Sequence, residues 1–178
     1  DGSIYVADTA NHRIRKVRAD GSTVSTVAGG TQGYKDGPGS EARFSEPWSI
    51  AISDDGSLIV ADSGNHRLRR IDAAGNVTTF AGSGEGDVDG SADVAKFGFP
   101  SSVAAADHGS YIVTDSVNHN VRRITSDGTV STIAGSIDGL KDGPAADAQF
   151  SSPFYVAVRA DGAVLVSDTK NDRVRLVT

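Results

Sequence analysis

Asp8, Asp62, Asp115 and Asp168 each close an apolar run, and they recur 54, 53 and 53 residues apart. A fixed period of this length marks a repeat architecture, in which each unit is one supersecondary element that must stack on its neighbours to bury an apolar face. The cassette around these aspartates reads DGSIYVADTANHRIRKV from Asp1, DGSLIVADSGNHRLRRI from Asp55, HGSYIVTDSVNHNVRRI from His108 and DGAVLVSDTKNDRVRLV from Asp161. A second cassette lies between them, anchored at Ala28, Asp36, Phe44 and Pro47, then Ala81, Asp89, Phe97 and Pro100, then Ala134, Asp142, Phe150 and Pro153. The one longer interval comes from an extra residue between Val17 and Val24, which marks a loop tip.

Short runs rich in Val, Ile and Thr separated by DG, GS, AG and GP predict strands and turns, and no segment holds a helical period. Each unit divides into four strands. In the second unit strand a is WSIAIS (48–53), strand b SLIVAD, strand c HRLRRI and strand d VTTFAG. The chain therefore runs b, c, d, then two full sets a to d, then a, b, c. The expectation is an all-β chain with repeat cassettes at about 1–54, 55–107, 108–160 and 161–178, two complete units flanked by two partial ones.

The Asn-His signature, as Asn11-His12-Arg13 and Asn65-His66-Arg67, with the recurring Phe-Xxx-Xxx-Pro ahead of strand a, resembles the NHL repeat. The resemblance covers nearly the whole chain. It implies β-propeller blades, each a four-stranded antiparallel sheet with strand a against a central channel. It also implies that this is part of a larger ring, six-bladed by analogy, with self-association of two fragments as the other possibility. The third copy departs from the pattern at Asn120 and the fourth at Asp172.

Candidate sites divide into periodic and aperiodic positions. Asp8, Asp62 and Asp168 precede Arg13, Arg67 and Arg173 by five residues across a hairpin, which predicts a local charge-assisted pair. Together with Asp115 these residues read as a structural turn network. His12, His66 and His119 fall in the same turn of successive units, around a ring, and so do not converge on one metal ion. The Asp-Gly turns at Asp36, Asp89 and Asp142 lack the closing Glu of a calcium loop. No metal and no cofactor is expected.

The net charge of −6 disfavours nucleic acid as the partner, although the resemblance admits an RNA-binding platform. Cys is absent, which leaves the compartment open; an extracellular or organelle-lumen setting is the working expectation. No apolar stretch reaches the length of a membrane span, so no membrane insertion is expected. One glycosylation sequon stands at Asn76.

Related propellers include metal-dependent lactonases and lyases, whose ligands come from strand a. Here those strands read WSIAIS, SSVAAA and FYVAVR, without Asp, Glu or His, so an enzyme would need catalytic residues from blades not present. The positions just after the Pro break the period: Trp48 and Ser49, Ser101 and Ser102, Phe154 and Tyr155. Aromatic side chains offer large contact area at small entropic cost, which makes Trp48, Phe154 and Tyr155 the candidate partner-binding residues; the alternative is packing between blades. The functional expectation is a noncatalytic binding or scaffold module, its partner a protein or another extracellular ligand.

Overall fold

The structure, a computed structural model, describes residues 2–178. Its strands form four antiparallel sheets. The first holds β1 (Ile4–Asp8), β2 (Arg13–Val17) and β3 (Val24–Gly29). In the second, β5 (Pro47–Ile52), β6 (Leu58–Asp62), β7 (Arg67–Ile71) and β8 (Asn76–Ala81) are extended by a two-residue strand, β4 (Gly37–Pro38), outside β8. The third holds β9 (Pro100–Ala105), β10 (Tyr111–Asp115), β11 (Asn120–Ile124) and β12 (Val130–Ala134). The fourth holds β13 (Pro153–Val158), β14 (Val164–Asp168) and β15 (Arg173–Val177).

The sheets are thus b-c-d, a-b-c-d, a-b-c-d and a-b-c, in the expected order. Strand a starts on its Pro, one residue earlier than the sequence pattern suggests, at a position where the missing N–H costs no ladder bond. The small strand β4 was not expected. It forms because the long d-to-a loop folds back along β8, placing Gly37 opposite Val77.

Strand b reads as a nearly continuous apolar run because both of its faces are covered. In β6, Leu58 and Val60 enter the layer shared with the first sheet, while Ile59 and Ala61 enter the layer shared with the third. A third layer joins the third and fourth sheets through Ile112, Val121, Phe150 and Val166. Strands β5, β9 and β13 lie side by side. The Ser49 hydroxyl accepts the Val103 amide at 3.1 Å, and the Ser102 hydroxyl accepts the Val156 amide at 3.3 Å.

A hydroxyl at the first position of each b-to-c turn ties one sheet to the next. Thr9, Ser63 and Ser116 donate to the carbonyls of Pro47, Pro100 and Pro153 at 2.8, 2.5 and 2.6 Å. The start of every strand a is therefore fixed by the turn of the preceding sheet. These starts are the ground on which the variable residues stand.

Candidate functional site

The aspartate that ends strand b holds its sheet together through a partner other than the expected one. Asp62 accepts from Arg69 at 2.7 Å, Asp115 from Arg122 at 3.4 Å, Asp168 from Arg175 at 2.8 Å and Asp8 from Arg15 at 3.3 Å. Arg13, Arg67 and Arg173, directly across the hairpin, make no such pair. Arg67 instead donates to the carbonyls of Asn65 and Ser83 and stacks over Tyr34 at 4.2 Å. Arg13 donates to the Asn11 carbonyl.

The reason is reach. A residue opposite Asp62 at the mouth of the turn points past it, whereas a guanidinium two residues further along the same face returns diagonally to it. From there it also collects the d-to-a loop. Arg69 donates to the carbonyls of Arg43 and Lys35 and to Asp36; Arg122 does the same with Lys96, Val88 and Asp89. Both arginines are fully buried. Burial pushes the carboxyls of Asp62 and Asp115 above the usual Asp range, against the pull of the bonds each accepts.

At the start of strand a the sheets cease to be equivalent. In the second sheet the Ser45 amide donates to Asp62, and the next amide, of Glu46, turns away to the Nδ1 of His12 at 3.2 Å. The fourth sheet repeats this with Ser151 on Asp168 and Ser152 on His119. Glu46 and Ser152 pay for this geometry with left-handed φ values of 50° and 49°.

In the third sheet the peptide between residues 98 and 99 is turned over. Asp115 accepts both the Gly98 and the Phe99 amides, at 2.9 and 2.8 Å, and His66 faces the Gly98 carbonyl at 2.5 Å. Phe99 is thereby released from the left-handed region. Gly98 is required here, since a Cβ on it would lie 2.7 Å from Asn118 Oδ1 and 3.0 Å from the Cβ of Val117. The second sheet has the reverse arrangement, with Gly64 making room for Ser45.

This local flip completes an aromatic group. Trp48 lies 5.2 Å from Phe154 and 6.4 Å from Phe99, centroid to centroid, and Phe154 lies 5.0 Å from Tyr155; all three pairs are edge-to-face. Trp48 and Phe154 belong to the second and fourth sheets and meet across the start of the third. That is possible because the intervening residue is small: Ser101 is fully buried, its hydroxyl donating to the Phe154 carbonyl at 2.7 Å. The structure therefore gathers the three sequence candidates, Trp48, Phe154 and Tyr155, and adds Phe99. Trp48 is 38% and Tyr155 59% exposed, and Val117, beside Phe99 on the next turn, is 59% exposed.

The arrangement is suited to contact rather than chemistry. It presents aromatic area with an indole N–H and a phenol O–H, on backbone fixed by hydrogen bonds from two neighbouring sheets. Among the described residues no group of His, Asp and Glu is placed to hold a metal ion, and no helix is long and apolar enough to cross a membrane. Asn76 of the sequon is exposed at the first position of β8.

The NHL repeat model matches residues 44–71. The chloroplastic protein Suppressor of quenching 1 of Arabidopsis thaliana is 45% identical over 73 residues, covering 40% of this chain and 7% of that protein. NHL repeat-containing protein 2 of Gallus gallus is 41% identical over 87 residues, covering 48% and 12%. Among solved structures, an auxiliary nutrient binding protein from Bacteroides thetaiotaomicron superposes with TM-score 0.79 at 18% identity, over 99% of this chain and 45% of that one. A streptogramin B lyase superposes with TM-score 0.65 at 15% identity, over 99% and 51%. At such identities the likeness shows the fold alone, that of a β-propeller. The chain spans about a tenth of the length of these two relatives and about half of these two structures.

Proposed function

We propose that the chain, whose residues 44–71 match the NHL repeat, works as a noncatalytic binding module whose contact surface is the group formed by Trp48, Phe99, Phe154 and Tyr155. The observation that carries this reading is the convergence of aromatics from three sheets on one exposed spot, held at Trp48 and Phe154 by backbone in the periodic geometry and at Phe99 by the turned-over peptide on Asp115. A surface already ordered before contact loses little entropy on binding. The partner class is protein, in an extracellular or luminal setting, with apolar or aromatic side chains seated on the ring edges.

Two features weigh against the other classes. Strands β5, β9 and β13 carry no Asp, Glu or His, which supports binding over the lactonase or lyase chemistry of related propellers. The c-strand arginines Arg69, Arg122 and Arg175 are engaged by Asp and loop carbonyls, which leaves them poorly placed for phosphate and supports protein over RNA.

Trp48 is the sole tryptophan, so its emission reports on this surface alone. A purified partner that binds the wild-type chain is expected to shift that emission, and Trp48→Ala or Tyr155→Ala is expected to weaken binding, measured by calorimetry, at least about tenfold, as for an interface hot spot. Partner binding that survives both substitutions would overturn the assignment. Turnover of a lactone panel by this chain would favour the enzymatic reading instead.

A further inference from the structure

The loop after strand d brings a different residue to the same place in three successive sheets. Gln32, Glu85 and Asp138 stand 53 residues apart and bridge in parallel to Phe44, Phe97 and Phe150. At the start of the second sheet the place is neutral, since Gln32 gives its amide to the Ser45 hydroxyl at 3.3 Å. In the third sheet His66 already spends its Nδ1 proton on the Gly98 carbonyl. At the fourth, two partners compete for one nitrogen: His119 Nδ1 accepts the Ser152 amide at 3.1 Å, and Asp138 Oδ1 lies 3.6 Å from the same atom. The amide needs a lone pair there and the carboxylate needs a proton. A neutral imidazole protonated on Nε2 serves Ser152, whereas an imidazolium, which has no lone pair, serves Asp138.

The charged groups around this ring are Asp138, from the loop after β12; Lys170, from the turn after β14, which acts on Asp138; and the buried Asp168, which takes the Ser151 amide at 2.7 Å. The Ser151 side chain, together with His119 and Lys170, holds the Asp138 carboxyl below the usual Asp range, so it is ionised wherever imidazoles titrate. Ser152 is the residue under constraint. Its left-handed φ of 49° is fixed between the Ser151 amide on Asp168 and its own amide on His119. A residue with a Cβ keeps such a φ only where its surroundings impose it.

We propose that His119 and Asp138 form a proton-operated latch on the start of β13. When the imidazole takes a proton from solvent, Nδ1 leaves the Ser152 amide for the Asp138 carboxylate, and the segment leading to Phe154 relaxes. The latch is closed above the histidine range and opens as pH falls through it. Opening is local, because the hydroxyls of Ser116 and Ser101 keep the carbonyls of Pro153 and Phe154. As regulation of the aromatic surface the latch rests on the contact role proposed for Trp48, Phe99, Phe154 and Tyr155; its opening does not.

Proton–nitrogen spectra of the chain alone, taken from about pH 8 to about pH 5, test it. The exchange protection of the Ser152 amide is expected to fall about two- to tenfold, the usual worth of one hydrogen bond, with the same midpoint as the His119 ring and with a shift of the Phe154 ring protons. His119→Asn supplies an acceptor that takes no proton and tolerates the left-handed φ of 56° at this position, and is expected to hold the Ser152 protection constant throughout. Asp138→Asn removes the anion and is expected to move the midpoint to lower pH. The Glu46 amide on His12, where Gln32 stands in the place of Asp138, is expected to respond at lower pH than Ser152. Ser152 protection that stays constant while His119 titrates, a response that persists in His119→Asn, or an unchanged midpoint in Asp138→Asn would overturn the latch. These spectra need no partner, so failure of the latch and failure of the contact surface are read separately.

Discussion

The starts of β5 and β9 occupy equivalent places in adjacent sheets, and both follow an aspartate-held turn. Ser45-Glu46-Pro47 keeps the periodic geometry, with one amide on Asp62 and the next on His12. Gly98-Phe99-Pro100 has one peptide turned over, with both amides on Asp115 and a carbonyl toward His66. Beside the flipped peptide the Asp115–Arg122 contact is 3.4 Å where Asp62–Arg69 is 2.7 Å. The flip also brings Phe99 against Trp48. The comparison separates what builds the repeat from what individualises it: the carboxylate is common to both starts, and the direction of one peptide plane decides which side chain reaches the surface.

The widest departure is expected from removing the common element. Asp62→Ala removes the buried one of the two carboxylates on Arg69, leaving only the part-exposed Asp36, and is expected to destabilise the chain by about 3–5 kcal/mol, the usual cost of breaking a buried pair by deleting one partner. Asp115→Ala is expected to cost at least as much, because it strands two amides, of Gly98 and Phe99, where Asp62→Ala strands one, of Ser45. Urea unfolding followed by circular dichroism measures both. A clearly smaller loss for Asp115→Ala would mean that the turned-over peptide stands without its aspartate.

The next effect tests why the flip occurs where it does. Gly98→Ala places a Cβ against Asn118 and Val117 and is expected to cost about 1–3 kcal/mol, as overpacking does. Val117→Gly, which copies the Gly64 of the second sheet, is expected to restore part of that loss. A double-mutant cycle with no coupling would show that Gly98 serves backbone freedom rather than room for Val117.

Much of this was legible in the sequence, and what was not has a physical cause. The period fixed the strand order because every unit must bury the same faces, and the broken period after Pro47 and Pro153 pointed to Trp48, Phe154 and Tyr155. The clamp partner was misread because a hairpin pairs Asp62 with Arg67 by backbone register, whereas a long side chain bonds where its head group arrives, at Arg69. Phe99 escaped notice because it precedes its Pro, at a position where Glu46 and Ser152 are backbone-restricted residues. The readable signal was Gly98 in place of Ser45 and Ser151, with Val117 in place of Gly64.

The acid titration of the two starts should differ from that of the loop aspartates. Burial raises Asp62 and Asp115 above 3.8, so the folded state holds their protons more tightly than the unfolded state does. Their contribution to stability is present below pH 3.8 and is lost as pH rises through their folded values. Asp89 runs the other way: burial pushes it up, but the Thr132 amide and Arg122 outweigh this and lower it. Its contribution is present above pH 3.8 and is lost as pH falls through its folded value. Carbon-13 NMR of the side-chain carboxyls is expected to find Asp62 and Asp115 titrating above Asp89. The reverse order would mean that hydrogen bonding, not burial, dominates the clamp.

The smallest expected effect is also the sharpest reading of the flip. In the second sheet His12 receives an N–H from Glu46, so its Nδ1 must carry a lone pair and its proton sits on Nε2. In the third, His66 faces the Gly98 carbonyl, so its Nδ1 must carry the proton. The two neutral imidazoles are therefore opposite tautomers, set by one peptide plane, with almost no consequence for stability. Long-range nitrogen–proton correlation spectra above the histidine titration range are expected to show Nδ1–H for His66 and Nε2–H for His12. Phe99→Ser, which copies the residue at 152 and loosens the hold on the aromatic group, makes the test two-sided. Should the peptide revert to the periodic geometry, His66 changes tautomer and Trp48 emission shifts together with it. If His66 keeps its Nδ1 proton in that variant, Gly98 rather than Phe99 dictates the flip, and the aromatic group is then its beneficiary and not its cause.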